Sequence, residues 1–298
     1  MKITIIGNGA WGSAVGSALE RNQHQVIYLT RDHKEWLDGD HGQMIFLAIP
    51  CQILRARISA LKSPNPEAPV VSLIKGIEVE QFNRVSDIVK DVWPESPFAA
   101  ISGPSFAHEV SMNLPTAAVV AAESLELARG IQMIVHDKTF RLYTSQDVTG
   151  VELGGALKNV YAIAGGMCQG LGMGDNAMAG LMTRSLAEMS RIAISLGAKQ
   201  ETLFGLSGVG DLMLTSFSGA SRNHQVGEAL GRGNEIQKIM QNLRGTAEGV
   251  PTTRALHEWV VKNNIRAPII CEVFSVLYEN KSPRKSVEDL LLREVGQE

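Results

Sequence analysis

A lysine stands in the middle of a run of small and apolar residues: Gly154-Gly155-Ala156-Leu157-Lys158-Asn159-Val160-Tyr161-Ala162-Ile163-Ala164-Gly165-Gly166. At helical spacing its same-face neighbours are Gly154, Gly155, Tyr161 and Ala162, none of them acidic, so no local ion pair accounts for it. Burial disfavours an ammonium and lowers its pKa, which makes a lysine a proton donor and acceptor near neutral pH. The other reading is a lysine that snorkels over small neighbours to water. Gly205-Leu-Ser-Gly-Val-Gly-Asp211 spaces three glycines through a short loop. It reads either as a close-approach loop delivering Asp211 or as a plain helix N-cap. Ser221-Arg222-Asn223 opens a helix, where a forked guanidinium beside free backbone amides makes a phosphate site. Glu248 is a loop carboxylate able to hold a ribose or an amide, or nothing at all.

The chain opens on Lys2-Ile-Thr-Ile-Ile6 and then Gly7-Asn8-Gly9-Ala10-Trp11-Gly12, followed by small apolar residues. The pattern predicts strand, tight turn and helix. Gly7 makes the turn, Gly9 lets a pyrophosphate approach the main chain, and Gly12 lets the helix lie on the strand. The first helical amides, lacking partners, point at phosphates. A lone Gly-x-Gly-x-x-Gly is weak evidence; its strand–helix context strengthens it.

These residues need elements to position them. With 298 residues the chain can bury a large core, and its length suggests two domains. A net charge of −3 argues against a nucleic-acid surface. No apolar run approaches the ~20 residues of a membrane span, and the first residues read as a strand rather than a signal peptide. Cys51, Cys168 and Cys271 read as reduced packing residues, with no metal-ligand spacing. A cytoplasmic protein is expected.

Strands are predicted at 25–30, 44–49, 70–74, 98–101, 117–122 and 140–144, with helices between several of them. Lys75-Gly76 follows the fourth strand, where open parallel sheets bind ligands, so Lys75 is a candidate anion ligand or a solvated turn lysine. Arg31 ends the second strand where an NAD-preferring fold often has an acid. That favours NADP(H), with NAD(H) open. Ser102-Gly103-Pro104-Ser105-Phe106-Ala107 reads as a strand, a turn and a helix with Pro104 at its first position. Beyond Asp147 helical spacing takes over. Helices are expected at about 151–166, 175–196, 222–230, 253–263, 268–279 and 287–295, the last capped by Ser286 and Asp289. The expected fold is α/β: a Rossmann-type doubly wound parallel sheet in residues 1–148, then an all-helical domain in residues 149–298.

The motifs Gly7–Gly12, Ile74–Glu78, Ser102–Ala107, Glu152–Ala162, Gly205–Asp211 and Ser221–Asn223 together resemble the NAD(P)-dependent glycerol-3-phosphate dehydrogenases of the bacterial biosynthetic type. The resemblance implies Lys158 as catalytic acid/base. It implies that Lys75, Gly103, Ser105, Asp211, Ser221, Arg222 and Asn223 surround glycerol phosphate, with Asn159 and Thr215 lining the pocket and with Asp211 and Asn159 orienting the lysine and the substrate hydroxyl. It places Gly7, Gly9, Ala10, Trp11, Gly12, Arg31, Lys75, Ala107, Arg222 and Glu248 near the cofactor. It also implies glycerol 3-phosphate supply for phospholipids; the helical domain's apolar faces make a homodimer the expected assembly. One departure stands out. Between Arg31 and Met44, where the family usually has an extra strand–helix unit, 12 residues remain. A hydroxyacid or ketopantoate-type reductase, or a non-catalytic NADP(H) sensor, are the other readings.

Overall fold

The computed structural model describes residues 1–33, 35–36 and 41–293. Strand β1 (Lys2–Ile6) leads through the glycine turn into α1 (Ala10–Arg21), then β2 (Gln25–Leu29), β3 (Met44–Leu47), α2 (Cys51–Ser59), β4 (Val70–Ser72), α3 (Val85–Val92), β5 (Phe98–Ser102), α4 (Ala107–Ser111), β6 (Thr116–Ala122), α5 (Leu125–Val135) and β7 (Phe140–Ser145). The strands form one sheet in the order β2-β1-β3-β4-β5-β6-β7. Side chains alternate across it. Ile3, Ile5, Met44, Phe46 and Val71 join α1 and α5 in one core, whereas Ile6, Ile45, Leu47 and Val70 join α2 and α3 in another. Helices on both faces explain why the strands read as near-continuous apolar runs.

The expectation of a parallel sheet needs one correction: β6 runs antiparallel to β5, and β7 is parallel to β6. The chain passes from β5 to β6 through residues 103–115, which hold only the short α4, and an antiparallel neighbour needs no crossover back to the far end of the sheet. On the other side β1 lies between β2 and β3. The chain therefore reverses its direction of strand addition at β1/β3, the place where open sheets bind ligands beyond their carboxyl ends. Among the described residues nothing pairs beyond β2, whose middle residues are half-buried, as suits an edge. The shortened connection is pinned by Trp36, which donates its indole N–H to Lys62 O at 2.9 Å and packs near Trp93. Part of the connection read above as a polar surface stretch lies outside the described residues.

From Val148 onward the chain is helical: α6 (Val148–Gly170), α7 (Asp175–Ser195), α8 (Gln200–Leu203), a π-helical turn at Leu206–Gly210, α9 (Asp211–Phe217), α10 (Arg222–Gly231), α11 (Ile236–Asn242), α12 (Gly249–Lys262), α13 (Pro268–Tyr278) and α14 (Pro283–Leu291). Helix α6 is the axis of this half, buried continuously from Gly150 to Cys168. Its small residues let other backbones close in: a Cβ on Gly227 of α10 would overlap the Ile163 carbonyl of α6. The last helix starts earlier than its spacing suggested. Ser282, not Ser286, caps it by accepting from the Lys285 N–H, and Pro283 takes the first helical position.

Candidate active site

Lys158 projects from the buried axis helix and is only 6% exposed. Its Nζ donates to Asp211 Oδ1 at 3.0 Å and to Thr215 Oγ1 at 2.6 Å, which leaves one of three ammonium protons without a partner among the described residues. Asp211 also accepts at Oδ2 from Lys75 Nζ at 2.6 Å, so one carboxylate lies between two ammonium groups. Lys75 donates further to Gly103 O at 2.8 Å. Burial pushes Lys158 down to about 8; Lys75 and Arg222 add to the fall, and Asp211 opposes it. Burial pushes the Asp211 carboxyl up, but Lys158 and Lys75 outweigh it and hold the group below its usual range. Lys158 is therefore not a snorkelling lysine, and burial favours its neutral form.

Local structure explains the placement. Residues 206–210 form a π-helical turn rather than the open loop expected, with Gly210 N–H bonded to Gly205 O at 3.1 Å. Such turns are frequent at functional sites. A Cβ on Gly154 of α6 would overlap the Ser207 carbonyl, so that glycine lets the turn lie directly on the axis helix. Asp211 then starts α9 as its first residue; it caps nothing, because its carboxylate is committed to the lysines.

A chain of amides ties the neighbouring helices together. Asn159 donates to Lys75 O at 3.0 Å and accepts from Asn223 Nδ2 at 2.8 Å, and Asn223 accepts from Gly249 N at 2.9 Å. Ser221 caps α10 by accepting from His224 N, and Arg222, exposed, follows it against Gly245. Glu248 faces the sheet half, with its carboxylate close to Gly76. Burial raises its pKa to about 7, against the Cys51 amide at the start of α2 and the charge of Arg222, which lower it. Gly103 has φ +142, and the Ser105 hydroxyl donates to its carbonyl at 2.9 Å. Ala107 begins α4; Pro104 lies in the preceding turn, not at the helix start expected.

At the glycine turn Gly7 has φ +109, and a Cβ on Gly12 would overlap the Gly7 carbonyl. A Cβ on Gly9 would meet nothing within 4 Å, so space is open in front of α1. That helix has no side-chain cap and no acid in its first turn. Trp11 Nε1 and Glu248 Oε2 are buried with no hydrogen-bond partner among the described residues. An open cradle at a helix N-terminus, an orphaned donor and an orphaned acceptor fit a dinucleotide.

Comparison with known proteins gives the family. Residues 38–128 and 147–288 match the family descriptions "NAD-dependent glycerol-3-phosphate dehydrogenase N-terminus" and "C-terminus". A "Glycerol-3-phosphate dehydrogenase [NAD(P)+]" from Syntrophotalea carbinolica is 40% identical over 331 positions, covering 100% of this chain and 99% of that protein. The chain belongs to the NAD-dependent glycerol-3-phosphate dehydrogenase family. A relative of the same name from Oleidesulfovibrio alaskensis is 39% identical, with 100% of each chain covered. The crystal structure of the glycerol-3-phosphate dehydrogenase from Coxiella burnetii superposes with a TM-score of 0.91 at 31% identity, over 98% of this chain and 99% of that one. The 331 aligned positions against 298 residues here accord with a shortened segment in this member of the family.

In this dehydrogenase one set of the expected residues forms a connected network. Lys75, Gly103, Lys158, Asn159, Asp211, Thr215 and Asn223 are joined by hydrogen bonds across both halves. Arg31 stands apart, exposed just past β2, where Thr30 N–H bonds to His33 and Arg57 donates to Thr30 O. Sequence reasoning gave no role to Ser102, whose buried hydroxyl has no partner among the described residues and abuts Gly155 of α6. Its place in the Ser102–Ala107 motif was the available signal.

Proposed function

We propose that the enzyme interconverts sn-glycerol 3-phosphate and dihydroxyacetone phosphate with NAD(P)(H), with Lys158 as the acid/base. The observation that carries this is a buried lysine whose anchoring carboxylate is shared with a lysine from the sheet half, and burial pushes its pKa down to about 8. The bound nicotinamide supplies or accepts a hydride at substrate C2. In reduction, Lys158 gives its spare proton to the carbonyl oxygen and becomes a neutral amine. Asp211 and Thr215 fix its direction, and Asp211 is left facing one ammonium, Lys75, in place of two. Lys75 adds positive potential where oxyanion character develops. Arg222, with Ser221 and Asn223, grips the phosphate, which fixes the reacting carbon without taking part in the chemistry. Gly103 and Ser105 border the substrate. Gly7, Gly9, Ala10, Trp11, Gly12, Ala107 and Glu248 hold the dinucleotide, and Arg31 favours a 2′-phosphate, hence NADP(H) over NAD(H). Residues 1–148 grip the cofactor and residues 149–298 carry the acid. A cytoplasmic homodimer supplying glycerol 3-phosphate for phospholipid synthesis completes the reading.

The test is a spectrophotometric assay at the nicotinamide band with dihydroxyacetone phosphate, NADPH compared with NADH. Substrate-dependent oxidation, faster with NADPH, is expected. Equal turnover of ketopantoate or a 2-hydroxy acid would contradict the substrate assignment.

Two further results are expected. Because Lys158 must be protonated to donate, the reduction rate should fall as pH rises through about 8, and the oxidation rate should rise over the same interval. Parallel profiles in both directions would count against the lysine. Arg222→Ala should weaken phosphate binding by about 1.5–3 kcal/mol, read as a raised substrate KM with kcat nearly kept. An unchanged KM would remove Arg222 from the phosphate site.

A further inference from the structure

Between β4 and α3, residues 73–84 leave the sheet: Leu73 and Ile74 still pack with the sheet cores, and from Ile77 the segment reaches the helical core. Ile77 is 1% exposed within the helical core, and Val79 and Phe82 pack against the same cluster. Phe82 has φ +56, a conformation side chains rarely adopt. Its ring stacks on Trp259 of α12, with centroids 5.2 Å apart and planes 8° from parallel. At the far end, Ser86 donates its backbone N–H to Glu152 Oε1 at 2.8 Å and its hydroxyl to Oε2 at 2.5 Å. Arg84 donates to Thr149 Oγ1 at 2.5 Å and lies 3.8 Å from Glu152. Glu152 belongs to the axis helix that carries Lys158, is 7% exposed, and has no part in the reaction as derived above. Lys75 stands between the sheet and these two anchors, its ammonium on Asp211 and its carbonyl on Asn159.

We infer that residues 73–84 are a strap that holds Lys75 on Asp211, with Phe82 and Glu152 as its anchors and as positioning residues for the reaction. The inference rests on the reading of Lys75 as a member of the site. A lysine on a flexible four-carbon stem points reliably only if its backbone is fixed relative to its partner. Here the backbone starts on the sheet while the partner is on α9. The strap removes the mismatch by tying the Lys75 segment to both halves: Ile77 and Phe82 pack in the helical core, while Gln52 and Arg55 of α2 hold Ile77 O, Val79 N–H and the Glu78 carboxylate. A left-handed phenylalanine persists where its surroundings over-determine it, and the stack on Trp259 does so. A buried carboxylate persists where it is hydrogen-bonded, and the first turn of α3 supplies the donors.

The test is steady-state kinetics of the full-length enzyme carrying Phe82→Leu or Glu152→Gln, each alone and combined with Lys75→Ala, with thermal melts alongside. Each anchor variant should lower kcat about 10-fold, since a small misplacement of a reacting group is costly. Phe82→Tyr, which keeps the stack, should restore the rate. In the Lys75→Ala background the same substitutions should change kcat by less than about 2-fold, because the group they position is gone. Losses that multiply in the double variants, or wild-type rates in both anchor variants, would overturn the strap while leaving Lys75 in the site. A wild-type rate for Lys75→Ala itself would overturn the role of Lys75 and the strap with it. Should Phe82→Leu fail to fold, Glu152→Gln carries the same comparison, since it keeps the shape and one acceptor.

Discussion

Lys158→Ala should lower kcat by roughly 10²–10⁴-fold, the range expected for loss of a positioned acid/base. Dinucleotide binding, followed by fluorescence titration, should remain nearly intact, because the glycine turn and Glu248 lie on other elements. Nor should the protein be badly destabilised. Asp211 keeps the Lys75 ammonium at 2.6 Å, so no buried carboxylate is left without a counter-charge. Lys158→Arg separates charge from proton transfer. A guanidinium preserves the positive charge but stays protonated at any working pH, so this variant should also be inactive in oxidation, where a neutral base is needed. Small primary amines added to Lys158→Ala should recover part of the rate in proportion to their basicity. Turnover near wild type in the alanine variant would reject the assignment.

The second large effect is expected at Asp211. Its carboxylate is the single group that both ammoniums share, and its side chain is 2% exposed. Removing one partner of a buried ion pair costs about 3–5 kcal/mol. In Asp211→Ala, Lys75 and Lys158 would face each other with no acid between them. The protein can relieve this by releasing the Lys158 proton, since Asp211 is what opposes the downward push of burial. Two readouts follow. The melting temperature should fall by several degrees at pH 7, on the scale of about 2–4 °C per kcal/mol for a chain region of this size. The pH at which the reduction rate declines should move to below about 8, with a loss of kcat at neutral pH on the order of 10²-fold. Asp211→Asn, which keeps the shape and one acceptor, should lose the charge effects while melting closer to wild type. An unchanged pH profile in both variants would show that the carboxylate does not tune Lys158.

The sheet was legible because its strands are buried on both faces, so 44–49 and 117–122 read as uninterrupted apolar runs and 70–74 as one broken only by Ser72. Helix α6 was legible because Leu153, Leu157, Val160, Tyr161 and Ala164 keep one period, and all are buried. Strand direction left no local trace: nothing within Thr116–Ala122 distinguishes an antiparallel neighbour from a parallel one. The π-helical turn was hidden because its residues Leu206–Gly210 carry the glycines of an open loop; the packing of Gly154 against Ser207 is what winds it. Helix α3 went unread although Val85, Ile88, Val89 and Val92 follow helical spacing, because it is only 8 residues long and follows a polar stretch. At the end of the chain two serines competed for one cap, and Ser282 wins because Pro283 suits the position after it.

For the site, residue type was readable and most of the partnerships were not. The small neighbours of Lys158 announced an unusual lysine. The resemblance already implied that Asp211, 53 residues on, orients Lys158, but that Asp211 also takes Lys75, 136 residues before it, follows only from the folded chain. Glu152 and Phe82 show the same limit more sharply. Both lay in plain view in the sequence, one inside a quoted motif, yet each acquires meaning through a contact with the other half of the molecule.

The central claim is that the Lys158 amine reaches the substrate oxygen beside the nicotinamide. A crystal structure of the enzyme with dihydroxyacetone phosphate and an unreactive reduced-cofactor analogue tests it most directly. The account predicts Lys158 Nζ within about 2.6–3.2 Å of the C2 oxygen, still bonded to Asp211 and Thr215, with C2 facing the nicotinamide ring and the phosphate on Arg222. A C2 oxygen bonded instead to some other donor, with Lys158 turned wholly onto Asp211 and Thr215, would contradict it.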